Sequence, residues 1–528
     1  MHVDALSPPR VLLDRFSLSE QQETIMADTA ATQLLAAFTQ FFPNARTIGS
    51  YVDGALIEGA GDVVQLHDAA TGAQSLGYRD GGAAIVAQAA DAAARAQTQW
   101  WSLTHAARGR VMFDIARELR LHVEAMARLE SLGSGKPIRD CRGEVAKVAE
   151  MFEYYGGWTD KFYGEVIPVP TSHLNYTRRE PAGVVLQITP WNAPVFTCGW
   201  QVAPAIAMGN AVLLKPSELT PFTSLVLAML AEKAGAPKGL INVLACFGHT
   251  VAQAAIAHKT VKKVVFVGSP TTGIQIAKAA AERVLPCVLE LGGKSANIIF
   301  ADADLKRAAL TAQAAIFAGA GQSCVAGSRL LVQRNVYDQF VDLVAGGARK
   351  IKVGAPLDDA TEVGPINNRK QYDHVMNMIA SGVADGATLV TGSAERRDGG
   401  YFVLPTVLAN VTNDMAIART EVFGPVVAAI PFDTEEEAIT MANDTAFGLA
   451  GAVWTNDIGR GHRVAAQVNA GTFWINGYKT INVASPFGGY GLSGYGRSSG
   501  VEALYEYTQT KSVWVETAAA PATGFGYL

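Results

Sequence analysis

Between Pro181 and Gly321 the chain alternates short β-branched runs with alanine-rich helical runs, and this alternation constrains the fold more than any other feature. The runs are VVLQI (184–188), AVLLK (211–215), LINVL (240–244), KVVFV (263–267) and PCVLE (286–290). Near-continuous apolar strands separated by helices require a parallel sheet covered on both faces, with ligands outside the carboxyl ends of the strands. Polar residues stand at those ends: Thr189-Pro190-Trp191-Asn192, Lys215-Pro216-Ser217-Glu218, Gly268-Ser269, and Glu290 closing the fifth run. A second series follows Cys324, with SRLLVQ, PTVL, VVAAI, GAVWT and GTFWIN separated by helical segments such as 435–443 and 457–468. The N-terminal third holds a strand-like VVQLHD (63–68) and helices around 81–97, 105–132 and 142–157. The tail over 511–516 alternates like an edge strand. At roughly 100–200 residues per domain, 528 residues exceed one core, so two α/β lobes with a cleft are expected.

Charge excludes two classes of partner. A net charge of −5, from 43 Lys+Arg and 48 Asp+Glu, provides no basic field for nucleic acid or an anionic membrane. From Pro181 to Leu214 no residue is charged, a length sufficient to span a bilayer. Four prolines interrupt that run, and Gln187, Asn192 and Gln201 would each need a hydrogen-bond partner in lipid. It reads instead as a buried strand, a loop and a helix lining a dry cleft. The five cysteines are odd in number, scattered and free of C-x-x-C spacing, which indicates neither a disulfide framework nor a metal site. A reducing, cytoplasmic compartment fits. The N-terminus mixes acids and prolines without a basic-then-apolar signal pattern. Residues 1–40 are read as a loosely packed extension, with Met26 as an alternative start.

Single motifs each admit two readings. The turn in FVGSPTTGIQIAKAAAERV (266–284) carries Gly268, Ser269 and Gly273, either for pyrophosphate at a helix start or for steric reasons alone. Lys215 and Glu218 either bind a ligand at a strand end or, with Ser217, start a helix. If the site takes a dinucleotide, a carboxylate there holds the two hydroxyls of a ribose and repels a 2′-phosphate, favouring NAD over NADP. Cys324 lies in an uncharged run from Ala308 to Ser328, bracketed by Gly319, Gly321 and Gly327. It is either an inert small hydrophobe or a nucleophile whose backbone approaches a ligand. Glu290 is either paired with Lys294 or a desolvated general base. Asn192 is either a turn former or an amide donor to an oxyanion.

Seven longer motifs in order resemble the aldehyde dehydrogenase superfamily from about residue 45 to about 517: PWNAP (190–194), KPSE (215–218), FVGSPTTG (266–273), ELGGKSAN (290–297), GQSCVAGSR (321–329), EVFGPV (421–426) and SPFGGYGLSGYGR (485–497). The resemblance implies a Rossmann-like NAD-binding domain over 41–158 and 182–292, and an α/β catalytic domain over 293–507. It further implies a small β oligomerisation segment over 159–181 and 508–517, with a tail at 518–528, in dimers paired into tetramers. By the same resemblance Cys324 is the nucleophile, Asn192 and the Cys324 N–H hold the oxyanion, and Glu290 activates water to release a carboxylic acid. NAD would be held by Ile188, Thr189, Trp191, Lys215, Ser217, Glu218, Gly248, Gly268, Ser269, Gly273, Leu291, Glu421 and Phe423. Cys246 and Ala252 replace glycines common around Gly248. The substrate tunnel would draw on Lys147, Trp200, Ser323, Val325, Lys479, Ile481 and Phe487; Ala193, where simple aliphatic and aromatic aldehyde enzymes carry an aromatic residue, widens it, and with the two lysines this points to a bulky or partly anionic aldehyde. No metal is implied. A cysteine hydrolase of the same fold, or a binding protein that lost catalysis, are the competing classes; the full cofactor set and the intact Cys324 and Glu290 weigh against both.

Overall fold

The computed structural model describes residues 20–170, 172–396 and 399–519. Five parallel strands form the middle of the first sheet: Val184–Ile188, Ala211–Lys215, Ile241–Val243, Val261–Val267 and Cys287–Glu290. Counted in chain order they lie 3-2-1-4-5, so the direction of winding reverses between Val184–Ile188 and Val261–Val267. A crevice opens at such a switch point, outside the carboxyl ends of the two strands. These strands are buried on both faces, which is why they read as unbroken apolar runs rather than alternating ones. Antiparallel pieces close the edges, the hairpin Ser50–Val52/Ala55–Ile57 on one side and Gly494–Tyr495 on the other.

The second sheet has seven strands, in the order Thr388–Thr391, Thr406–Ala409, Val426–Phe432, Arg329–Gln333, Ala296–Ile299, Ala450–Trp454 and Thr472–Ile475. All but the first pair in parallel. Each sheet has its own large apolar core, so the chain has two lobes. A third, antiparallel sheet joins Val166–Ile167, His173–Pro181 and Thr508–Glu516. The alternating tail is thus an edge strand, paired within its own chain from Thr508 opposite Pro181 to Glu516 opposite His173. The uncharged run resolves into the strand Val184–Ile188, a loop and the helix Pro194–Ala207. Among the described residues no helix is long and apolar enough to cross a membrane.

Two expectations are corrected. Residues 1–40 are not loosely packed throughout: Glu20–Thr39 is a helix, and Leu34, Ala37 and Phe38 are buried in the first core. Their i, i+3, i+4 spacing puts them on one helical face, where Phe38 stacks on Phe42 at 4.8 Å and meets Phe222 edge-on at 6.4 Å. Residues 1–19 and the tail from 520 lie outside the described residues. The helix expected over 105–132 is two, His105–Leu121 and Val123–Ser134. His122 breaks it by leaving helical geometry (φ −113°) while its Nδ1 donates to the Glu118 carbonyl at 2.8 Å.

Candidate active site

The loop carrying Cys324 is built by a left-handed turn. Gly319, Ala320 and Gly321 have φ of 64°, 56° and 70° in succession, and this reverses the chain after the helix Leu305–Phe317. A side chain on Gly321 would collide with the Gly424 carbonyl, so only glycine permits this approach. On the other side the two glycines after Glu290 let the first lobe close in. A Cβ on Gly293 would lie 2.5 Å from the Cys324 carbonyl, and one on Gly292 would run into the Glu421 carboxylate. The ELGG segment is therefore the contact between the fifth strand of the first sheet and the cysteine loop of the second lobe.

Asn192 is joined to the same loop. Its Nδ2 donates to the Gln322 carbonyl at 2.8 Å, and Gln322 Oε1 accepts from the Asn367 N–H at 2.9 Å. An amide nitrogen has two N–H groups, so one remains for a second acceptor. Burial pushes the Cys324 thiol up to about 12, with the Glu290 and Glu421 carboxylates adding to the rise; its own backbone N–H and the Lys479 ammonium oppose it. Burial likewise pushes the Glu290 carboxyl up to about 8, against a hydrogen bond from Ser498. Ser498 Oγ donates to Glu290 Oε1 at 2.7 Å, while Oε2 is buried without a partner. Of the two readings of Glu290, pairing with Lys294 is not formed. Burial and the neighbouring Arg329 guanidinium push the Lys294 ammonium down to about 7, and the Glu421 carboxylate opposes the fall.

The cofactor candidates gather along the carboxyl edge of the first sheet. Ile188 ends its strand, and the Thr189 N–H donates to the Lys215 carbonyl at 3.0 Å. Lys215 is buried and pairs with Glu218 at 2.7 Å; its Nζ lies 3.6 Å from where a Gly248 Cβ would stand, at the start of the helix Gly248–Ala257. The helix-start reading of Ser217 and Glu218 is not formed, since the next helix begins at Phe222; Ser217 Oγ accepts from the Leu219 N–H at 3.3 Å. The Gly268 N–H donates to the Glu290 carbonyl at 3.0 Å, and Ser269 caps the helix Pro270–Ala281. Gly273 lets that helix pass over Leu291, whose side chain a Cβ would meet at 2.6 Å. Trp191 and Phe423 meet edge-on at 5.4 Å, and Glu421 Oε1 accepts from the Gly293 N–H at 3.0 Å. An orphaned buried hydroxyl, Thr189 Oγ1, sits at the switch point beside this pair of strand ends. A charged pair, a free hydroxyl, two helix starts and an aromatic edge suit a ligand with sugar, phosphate and ring parts.

Around the cysteine, Val325, Leu449 and Ala450 form one buried cluster with Cys324, Ile481 and Phe487 against it. Trp200 stacks on Phe196 at 5.1 Å and meets Phe487 edge-on at 5.8 Å. The Ser323 carbonyl accepts from the Ala326 N–H at 3.0 Å. The two lysines part company. Lys479 is half-buried, held at φ 62°, and pushed down to about 8 by burial against the pull of Cys324 and Asp140. Lys147 is exposed and paired with Glu150 at 2.7 Å. Residues missed in the sequence are Ser498, with Gln201, Tyr507 and Gln187 behind it, and Gln371 and His374, which hold the backbone of 421–423. The signals for the first group were Gln187 and Gln201, polar residues inside a buried, uncharged run that must find partners.

The pattern described as the aldehyde dehydrogenase family matches residues 56–513. A betaine aldehyde dehydrogenase of Brucella anthropi is 43% identical over 437 residues, covering 82% of this chain and 89% of that one. Human retinal dehydrogenase 2 is 41% identical over 462 residues, covering 87% and 89%. Among solved structures, a betaine aldehyde dehydrogenase from Staphylococcus aureus in complex with NAD+ superposes with a TM-score of 0.89 at 37% identity, covering 94% and 99%. With this match across most of the chain, the cysteine loop, the Glu290 strand end and the crevice at the switch point take their place in a known architecture: the chain belongs to the aldehyde dehydrogenase family.

Proposed function

We propose that the protein oxidises an aldehyde to its carboxylic acid with NAD, using Cys324, Asn192 and Glu290. The observation that carries this reading is the convergence of three separate segments: the Cys324 loop, Asn192 bonded to that loop through Gln322, and the glycine contact that places Glu290's strand end against it. Burial raises the thiol above Glu290, so when Glu290 is ionised it takes the thiol proton as sulfur bonds to the aldehyde carbon. The free N–H of Asn192 and the Cys324 backbone N–H hold the oxygen that gains the carbonyl electrons. NAD, when bound, would supply the hydride acceptor for that carbon, and the oxygen's electron pair re-forms the carbonyl to leave a thioester on Cys324. Glu290, ionised again after losing its proton to solvent, takes a proton from water while the water oxygen bonds to the thioester carbon. The carbon–sulfur bond breaks, its electron pair returns to Sγ, and the acid leaves.

Ile188, Thr189, Trp191, Lys215, Ser217, Glu218, Gly248, Gly268, Ser269, Gly273, Leu291, Glu421 and Phe423 hold the cofactor. Glu218, paired with Lys215, favours a free ribose over a 2′-phosphate. Betaine and retinal enzymes among the relatives act on bulky aldehydes by their names, and Trp200, Phe196 and Phe487 offer an aromatic wall for such a substrate. Lys479, not Lys147, is the charge that would attract a carboxylate-bearing aldehyde, because Lys147 is already paired at the surface. The three-stranded sheet joins subunits into dimers and tetramers, and five unpaired cysteines fit a cytoplasmic setting. The test is NADH formation over aliphatic, aromatic and carboxylate-bearing aldehydes, with NADP+ and Cys324→Ala as controls. Signal with NAD that vanishes in the variant supports the reading; turnover that survives Cys324→Ala removes it.

A further inference from the structure

Only one side chain hydrogen-bonds to the Glu290 carboxylate among the described residues, and a row of buried groups stands behind it. Ser498 Oγ donates to Glu290 Oε1 at 2.7 Å. Gln201 Nε2 donates to Ser498 Oγ at 3.1 Å, and Tyr507 OH donates to Gln201 Oε1 at 2.8 Å. At the far end Gln187 Nε2 donates to Tyr507 OH at 3.1 Å and to the Gln201 main-chain carbonyl at 2.8 Å. All five residues are buried, and every side-chain bond in the row donates toward the carboxylate. We propose that Ser498, backed by Gln201, Tyr507 and Gln187, is a positioning residue that holds Glu290 in its ionised form through Oε1 and leaves Oε2 free for the attacking water. This rests on the reading of Glu290 as the base that activates water.

The direction of the row carries the argument. Each hydroxyl has one proton, and here it is committed toward Glu290, so the aligned dipoles reinforce one another and favour negative charge at the end. A reversed row would end with the carboxyl as donor and would stabilise its neutral form. The carboxamide of Gln201 lies between two hydroxyls and does not pass a proton along. The row therefore holds charge without conducting, and the proton that Glu290 gains leaves from the Oε2 side. The surrounding charges do not replace Ser498. Arg497 favours the carboxylate, while Glu506 opposes it with its own charge held by Lys263 at 2.7 Å. The Cys324 thiol and the Tyr507 phenol are both pushed up by burial, and Tyr495 on the adjoining strand faces Cys287. The Gln201 helix, Pro194–Ala207, brings no titratable group other than the buried Cys198, which burial also raises.

The test uses hydrolysis of a chromogenic acetate ester by the cofactor-free protein, in which release of the chromophore reports acylation of Cys324 and loss of the acetyl group from isolated acyl-enzyme reports thioester hydrolysis. The rate of that step is followed between about pH 5.5 and 9.5 in wild type, Ser498→Ala and Tyr507→Phe. Ser498→Ala moves the acid limb up by about one pH unit, since the bond it removes favours the carboxylate. Tyr507→Phe moves it in the same direction by less, and the amplitude of the acylation burst, one acetyl group per Cys324, is unchanged in both. A limb that stays in place in both variants, with rate lost equally at every pH, overturns the proposal. Tyr507→Phe decides alone if Ser498→Ala does not fold. Glu290→Gln separates the underlying assignment: if it hydrolyses the thioester with the wild-type limb, Glu290 is not the base, and the proposal falls with that assignment rather than with Ser498.

Discussion

Cys324 is held in a setting that opposes its own ionisation, since burial and two carboxylates raise the thiol while Lys479 is the only side chain among the named causes that lowers it. Lys479→Ala therefore slows alkylation of Cys324 by iodoacetamide several-fold at neutral pH. The Lys479 ammonium is itself pushed down to about 8, so the gap between variant and wild type closes as pH rises past that value. Equal alkylation rates at every pH would show that Lys479 does not act on the thiol. Glu290 makes two linked predictions. Its carboxyl is raised to about 8, so thioester hydrolysis falls about tenfold per pH unit below that value, and Glu290→Gln loses about 10²-fold or more in this step. A raised carboxyl also disfavours the folded state, an effect absent below the unfolded pKa, growing between the two and full above about 8. Glu290→Gln thus raises the melting temperature at pH 9 and leaves it unchanged near pH 4, as calorimetry would show. At this scale the chemistry of Cys324, Glu290 and Asn192 was legible as residue types in glycine-rich or proline-rich surroundings. Ser498 was not, because a lone serine in a run of two carries no periodic or compositional mark.

Elements obey local rules where burial is uniform. The five strands of the first sheet fall within the runs read from the sequence or overlap them closely, because apolar β-branched residues buried on both faces leave a continuous signal. The failures are at junctions. His122 splits a helix by bonding the Glu118 carbonyl, a choice that no propensity encodes. The N-terminal helix Glu20–Thr39 reads as an extension because, among the side chains described, its buried residues are Leu34, Ala37 and Phe38 near its end. Phe38→Ala removes a ring packed between Phe42 and Phe222 and costs about 3–5 kcal/mol, read from denaturant unfolding. A loss under about 1 kcal/mol would mean that this helix is not part of the folded core. The turn at Gly319–Gly321 makes a matching prediction: Gly321→Ala combines a left-handed φ with a collision against the Gly424 carbonyl. It destabilises by about 2 kcal/mol or more and slows alkylation of Cys324, because the same turn aims that loop.

Across the whole molecule, the three-stranded sheet leaves Val166, Leu174, Trp514 and Val515 exposed, in a chain whose other large apolar residues mostly find cores. Val166, Leu174 and Val515 share one face of that sheet and Trp514 stands on the other, and exposed apolar side chains on both faces fit the subunit contact proposed above. Trp514→Glu weakens association by about 30-fold or more, and the mass of the assembly at micromolar concentration falls in light scattering. An unchanged mass would place the subunit contacts elsewhere. The two α/β lobes, the strand ends that carry Thr189, Lys215, Gly268 and Glu290, and the glycine-bracketed Cys324 are legible in the order of residues, because periodicity, apolar runs and turn chemistry are properties of short stretches. Folding alone brings Ser498 onto Glu290 across 208 residues, fastens Asn192 to the Gln322 carbonyl and leaves Lys479 beside the thiol. The Ser498 bond forms inside the first sheet, where Gly494–Tyr495 lies against Cys287–Glu290, and the Asn192 bond crosses between the lobes; neither leaves a trace in the order of the residues that make it.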